Sequence, residues 1–192
     1  SPTSTVTVTP DSRVFTGETV NLKCVINSDH SDWRYEWYKD SVILQTSDRY
    51  TVNRDTLTIR GATESDQGLY WCKGQRDGRP NSSTSRSAVS LSVKERPKPV
   101  VKVKPDVRVF RGERVTLTCD IQETGVWRYS WYKDQDNTGR TDQIYNSAGQ
   151  DQIYIITSVD PSHAGLYRCR GTLTETLQNS QISDGVTLTV SG

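Results

Sequence analysis

Trp33-Arg34-Tyr35-Glu36-Trp37-Tyr38-Lys39-Asp40 returns 94 positions later as Trp127-Arg128-Tyr129-Ser130-Trp131-Tyr132-Lys133-Asp134, with one residue of eight changed. In both copies the large rings fall at every second position, and a period of two places them on one face of a strand. The second Trp of each copy stands between two cysteines: Cys24 lies 13 residues before Trp37 and Cys72 lies 35 after it, while Cys119 and Cys169 bracket Trp131 at 12 and 38. Cys…Trp…Cys at this spacing predicts a β-sandwich whose inter-sheet disulfide packs against a buried Trp.

A chain of 192 residues that contains its own duplicate divides into two domains. The expected fold is all-β, two tandem immunoglobulin-like β-sandwiches of C2 or I type, covering 1–95 and 96–192 with a connector at about 94–99. Only 48 and 50 positions separate the cysteines of each pair, too few for the extra strands of a variable-type domain. Four cysteines allow three pairings, and the repeat favours Cys24–Cys72 with Cys119–Cys169. Each bridge closes a loop that the chain-entropy estimate values at roughly 4 kcal/mol. Disulfides place the chain on the secretory route.

Several function classes drop out. Each half is near charge balance, with 12 basic and 12 acidic residues in 1–95 and 12 and 11 in 96–192, so nucleic acid is not the expected partner. No two cysteines stand two to four apart and the two histidines, His30 and His163, are isolated, so no metal site is expected. Those histidines also leave no nucleophile with a base and an orienting group, so no catalytic residues, cofactor or enzyme activity are expected. No segment is apolar enough to span a membrane. A removed signal peptide is compatible with the sequence, a membrane anchor is expected outside these residues, and the chain itself is expected on the cell surface or secreted.

Along the chain, Thr5–Thr9 reads as an edge strand ended by Pro10, and Val20, Leu22, Cys24 and Ile26 alternate with polar residues as the next strand. After the repeated octet come a short run at Val42–Leu44, a strand at Thr56–Ile59, and Asp66-Gln67-Gly68-Leu69-Tyr70-Trp71-Cys72. Tyr70 stands two residues before the second cysteine, the place of a tyrosine corner. Lys73 to Ser87 reads as a loop and Val89, Leu91 and Val93 as the closing strand. Arg96-Pro97-Lys98-Pro99 is a stiff connector. Pro105 to Glu113 then repeats Pro10 to Glu18 at seven of nine positions. Later strands are expected near Ile153–Ile156, Gly165–Arg170 and Val186–Val190.

Gly-Glu-x-Val-x-Leu-x-Cys, Trp-Tyr-Lys-Asp, Gly-Leu-Tyr-x-Cys-x-Gly and the Arg-Pro-Lys-Pro connector together resemble leukocyte receptors of the Fc-receptor and Fc-receptor-like family, and the fish leukocyte immune-type receptors in particular. That resemblance covers nearly the whole chain. It implies a cell-surface immune receptor whose protein ligand is immunoglobulin Fc or, alternatively, an MHC class I-like molecule; homophilic or heterophilic adhesion is a further alternative. It also implies a pair between Asp66 and an Arg opening the fourth strand, for which Arg49 is the candidate. In the second half His163 replaces the Asp, with no obvious Arg near Asn146.

Carried over by matching motifs, the ligand would be held mainly by the second domain. Its residues are Trp127, Arg128 and Tyr129 at the start of the repeated strand, Gln143, Ile144 and Tyr145 in the short strand after it, and Thr172, Leu173, Thr174, Glu175 and Thr176 after Cys169. A class I ligand would draw in Arg96 and Lys98 at the elbow. Trp33 and Trp127 can each cap the core or anchor a partner. The basic series Arg96, Lys98, Lys102, Lys104, Arg108, Arg111 and Arg114 reads either as a charged edge that blocks aggregation or as an electrostatic contact. Asn81-Ser82-Ser83 is the one N-glycosylation sequon, expected in an exposed loop. The chain is expected to be monomeric.

Overall fold

The computed structural model describes residues 1–134, 141–144 and 151–192. It divides into two compact units, Ser1–Glu95 and Arg96–Gly192, each built around its own disulfide.

In the first unit, β1 (Thr3–Thr9), β3 (Val20–Ile26), β6 (Tyr50–Asn53), β7 (Thr56–Ile59) and β9 (Thr84–Ser85) form one sheet, in the order β6-β7-β3-β1-β9. The facing sheet contains β2 (Arg13–Phe15), β4 (Arg34–Lys39), β5 (Val42–Ile43), β8 (Gly68–Gln75) and β10 (Val89–Lys94), in the order β2-β10-β8-β4-β5. The first strand is shared: it pairs antiparallel with β3, breaks at Pro10, and continues as β2 beside β10 in the other sheet. Pro fits the break because it has no N–H for a ladder.

Alternation sets the core. Val20, Leu22 and Cys24 on β3, Leu57 and Ile59 on β7, and Tyr70 and Cys72 on β8 all point inward and are buried with Trp37. Cys24 and Cys72 are joined with Cα atoms 6.0 Å apart.

The second unit repeats the plan. One sheet is β11 (Val100–Lys104), β13 (Val115–Asp120) and β16 (Ile153–Ile156); the other is β12 (Arg108–Phe110), β18 (Val186–Ser191), β17 (Gly165–Leu173), β14 (Trp127–Asp134) and β15 (Thr141–Gln143), in those orders. Cys119–Cys169 and Trp131 occupy the middle of its core. Among the described residues β11 is an edge strand carrying exposed Lys102 and Lys104, whereas its counterpart β1 is covered by β9. Charged side chains on an exposed edge oppose strand addition, and Lys102 also pairs with Asp120 at 2.8 Å.

Two expectations are adjusted. The first strand begins at Thr3, two residues earlier than its Val/Thr alternation suggested. The loop after Cys72 is also shorter than Lys73–Ser87, because β8 continues to Gln75 and is clamped by Ser83. The Gly74 amide donates to Ser83 Oγ at 2.7 Å, and the Ser83 amide donates to the Gly74 carbonyl at 3.1 Å.

Both tyrosine corners are formed. Tyr70 Oη donates to the Asp66 carbonyl at 2.6 Å, and Tyr167 Oη donates to the His163 carbonyl at 2.5 Å. Burial pushes both phenols well above their ordinary range. Asp66 is fully buried, paired with Arg49, hydrogen-bonded by the Tyr50 hydroxyl, and accepts from the Thr63 amide at 2.8 Å. His163 takes over one of these contacts: its Nδ1 accepts from the Asp160 amide at 2.9 Å, closing the same short helical turn. Asn146 lies outside the described residues.

Candidate recognition surfaces

The end of the second domain named by the sequence is assembled by one strand pair. Trp127, Arg128 and Tyr129 on β14 stand opposite Leu173, Thr172 and Gly171 on β17. Beyond β17 the chain turns through 174–177 and returns. The Leu173 amide donates to the Gln178 carbonyl and the Leu177 amide to the Leu173 carbonyl, at 2.8 and 2.9 Å. The Thr174 amide donates to the Val126 carbonyl at 3.1 Å, which fastens this hairpin to the segment leading into β14. The hydroxyls of Thr172 and Thr176 bond Asn179 and Gln178, each at 2.7 Å, and Glu175 sits exposed in the turn.

The rings divide differently from the simplest anchor picture. Tyr129 faces the core, and burial raises its phenol. Trp127 turns the same way, with Nε1 donating to the Glu123 carbonyl at 3.1 Å. The glycine after the second cysteine makes room for it: a Cβ on Gly171 would lie 2.9 Å from Trp127 Cε3 and 2.3 Å from Ile121 Cδ1. Trp33, 8% exposed, meets Gly74 and Ile26 in the same manner. What this end shows to solvent is Arg128, Val126 at 72% exposure and Leu177 at 67%. Leu177 stands at φ +62°, so the hairpin places an apolar side chain where glycine or asparagine is usual. Sequence reasoning missed both aliphatic residues because they lie outside any alternating run.

Gln143 in β15 pairs with Tyr132, and the Ile144 amide donates to the Trp131 carbonyl at 2.8 Å, with Ile144 packed on the core. Tyr145 lies outside the described residues. At the elbow, Arg96 Nη1 donates to the Asn179 carbonyl at 2.5 Å, and Gln181 Nε2 donates to the Arg96 carbonyl at 2.8 Å. Lys98 pairs with Asp184 at 2.8 Å. Both basic side chains are thus engaged within the second domain.

The outer faces of the β4/β8 and β14/β17 pairs form a second kind of surface, and their registers correspond. In the first domain, Ile43, Tyr38 and Trp71 stand side by side across three strands, and the Tyr38 and Trp71 rings stack with centroids 4.1 Å apart. Trp71 Nε1 donates to the Asp40 carbonyl at 2.6 Å. Lys73 lies over both rings, opposite Glu36, and Arg34 pairs with Asp77 at 3.2 Å. In the second domain the same row reads Tyr132 and Arg168, and the next reads Ser130 and Arg170. The signal was present in the sequence: if Tyr70 and Cys72 point inward, Trp71 and Lys73 must point out.

The first domain's loop end is closed by charge. Arg76 binds Asp32 through Nε and Nη2 at 2.9 and 3.3 Å, donates to the Pro80 carbonyl at 3.0 Å and lies over the Trp33 ring. The Arg76 hydrogen bond holds the Asp32 carboxyl below its ordinary value. Asn81 is exposed in this loop. Among the described residues no cluster of His, Cys, Asp or Glu could hold a metal ion, and no helix is long and apolar enough to cross a membrane.

A family model described as "Immunoglobulin domain" matches residues 2–75 and 98–172. The chain is 25% identical over 162 residues to "Cell adhesion molecule DSCAM" of Gallus gallus, covering 80% of this chain and 8% of that protein. It is 27% identical over 175 residues to "Fasciclin-2" of Schistocerca americana, covering 84% and 18%. It is also 27% identical over 168 residues to "B-cell receptor CD22" of Mus musculus, covering 86% and 17%. The chain therefore spans less than a fifth of each of these relatives. Among solved structures, a marsupial T cell receptor superposes with TM-score 0.57 at 14% identity, covering 97% of this chain and 73% of that one; the likeness is one of fold.

Proposed function

The chain belongs to the immunoglobulin-domain family, and on that premise we propose that it is the extracellular part of a cell-surface receptor that recognises another protein through the loop-bearing end of its second domain. The observation that carries this is the exposure of Val126, Arg128 and Leu177 at that end, with the segment leading into β14 fastened to the β17 hairpin by the Thr174 amide on the Val126 carbonyl. Exposed apolar groups at the same end of the domain as an exposed arginine suit a compact hot spot. Thr172, Thr174, Glu175 and Thr176 supply its polar rim.

The ligand we favour is immunoglobulin Fc, which the Fc-receptor resemblance implies. An MHC class I-like ligand docking at the elbow comes second, because Arg96 and Lys98 already have partners there. The receptor acts as a monomer, needs no cofactor and is not an enzyme. Binding of the chain to immobilised Fc and class I molecules, with Leu177→Asp and Arg128→Glu beside it, tests the reading.

One observation favours homophilic adhesion instead: the apolar row Ile43–Tyr38–Trp71 is bordered by Glu36 and Lys73, so a second copy could meet it with opposite charges aligned. Sedimentation at micromolar concentration decides between them. A dimer abolished by Trp71→Ser would favour adhesion over the monomeric receptor.

A further inference from the structure

The one residue that differs between the two octets lies on the outer sheet face, and it changes the electrostatics there. Glu36 of the first domain stands opposite Lys73, a cross-strand pair of opposite charge. In the second domain the same two positions are Ser130 and Arg170. The carboxylate is lost and the cation kept. One row along, Trp71 of the first domain corresponds to Arg168, and Arg128 completes the strip diagonally from Arg170. Arg34, the counterpart of Arg128, is neutralised by Asp77. Among the described residues, Arg128, Arg168 and Arg170 have no carboxylate partner, and Arg170 Nε is buried without a hydrogen-bond partner. Asp134, at the far end of this face opposite Leu166, is the one acid facing the strip in the β14–β17 register.

From this we infer that the outer face of β14 and β17 binds a partner protein through clustered carboxylates on an extended segment. Arginine suits this because its planar fork takes a carboxylate bidentately and is more weakly hydrated than an ammonium. Spacing narrows the partner further. Arg168 and Arg170 are two residues apart on one strand, about 7 Å, and Arg128 is a diagonal neighbour of Arg170 at a similar separation. An extended peptide with Asp or Glu at every second position repeats at the same interval. The inference rests on the receptor reading above and adds the chemistry of the ligand, with Arg128 shared between the loop end and the strip.

The test is a titration of the whole 192-residue chain with a synthetic peptide alternating Glu and Thr, followed by NMR of arginine side chains at low salt. The matching Gln-Thr peptide is the control. Shifts at Arg128, Arg168 and Arg170 Nε are expected, with none from the Gln-Thr peptide. Arg170→Gln should weaken the acidic peptide about tenfold, the loss of one charge-assisted hydrogen bond. Ser130→Glu, which restores the first-domain arrangement without touching an arginine, should weaken it similarly. The inference is overturned if the peptide shifts the basic series from Arg96 to Arg114 and not the strip. It is equally overturned if Ser130→Glu leaves affinity unchanged, or if a heparin fragment binds the strip and the peptide does not. Leu177→Asp should leave peptide binding intact, so failure of the loop-end site reads separately from failure of the strip.

Discussion

Trp127 and Gly171 fit together because Gly171 has no side chain: a Cβ there would lie 2.9 Å from the indole Cε3 and 2.3 Å from Ile121 Cδ1. The pairing recurs as Trp33 with Gly74, so it belongs to the architecture of the domain. Gly171→Ala should cost about 1–3 kcal/mol through overpacking. Adding Ile121→Val, which removes the nearest clashing methyl, should recover part of that loss in denaturant melts. Equal stability of wild type and Gly171→Ala would contradict the packing described.

Asp66 makes the first domain sensitive to acid. Burial alone would raise its carboxyl, but the Tyr50 hydroxyl, the Thr63 amide and the Arg49 guanidinium together outweigh burial and hold it below its ordinary value. A depressed folded pKa contributes stability above the unfolded-state value of about 4, lost as pH falls through the lower folded value. Hydrogen exchange at β8 should therefore accelerate below pH 4. Asp66→Ala should destabilise this domain by about 3 kcal/mol at neutral pH, since it takes the charge partner from Arg49, which keeps only the Gly61 carbonyl, and the acceptor from the Tyr50 hydroxyl, and should flatten the acid limb. An unchanged acid limb in Asp66→Ala would remove the carboxylate from the account.

Most strands, both disulfides and the tyrosine corner at Tyr70 were legible because each rests on a short-range period or a fixed spacing: Tyr70 before Cys72, Val20-x-Leu22-x-Cys24; the short strands β2, β6 and β9 carry no such period and were not. Register was less so. That Arg128 faces Thr172, and Ser130 faces Arg170, depends on pairing between strands about 40 residues apart, which no local pattern encodes. The exposed Val126 and Leu177 were hidden for a related reason. Leu177 is displayed by the turn that joins β17 to its return, and Val126 by the segment leading into β14 that is fastened to that turn; neither follows from composition. Trp127 looked like an anchor because its type suits one; its orientation follows from the strand parity it shares with Trp131.

Asn81 is exposed in the loop closed by Arg76 and Asp32. Expression in eukaryotic cells should attach a glycan there, read as a mass shift that enzymatic deglycosylation or Asn81→Gln removes. Ser83 Oγ holds the Gly74 amide, so blocking the sequon with Ser83→Ala should also loosen the β8 end, whereas Asn81→Gln should leave stability within about 0.5 kcal/mol. Full occupancy with no change in ligand binding is expected, because the proposed site lies in the other domain.

The most direct test of recognition by the second domain is surface plasmon resonance of the monomeric chain over same-species immunoglobulin Fc and class I molecules. The account predicts saturable binding to Fc, reduced at least about tenfold, or 1.4 kcal/mol, by Leu177→Asp and by Arg128→Glu. Asp tolerates the positive φ at 177, so that variant should stay folded. Fc binding that survives both substitutions in folded protein, or its absence from the wild-type chain, would contradict the account.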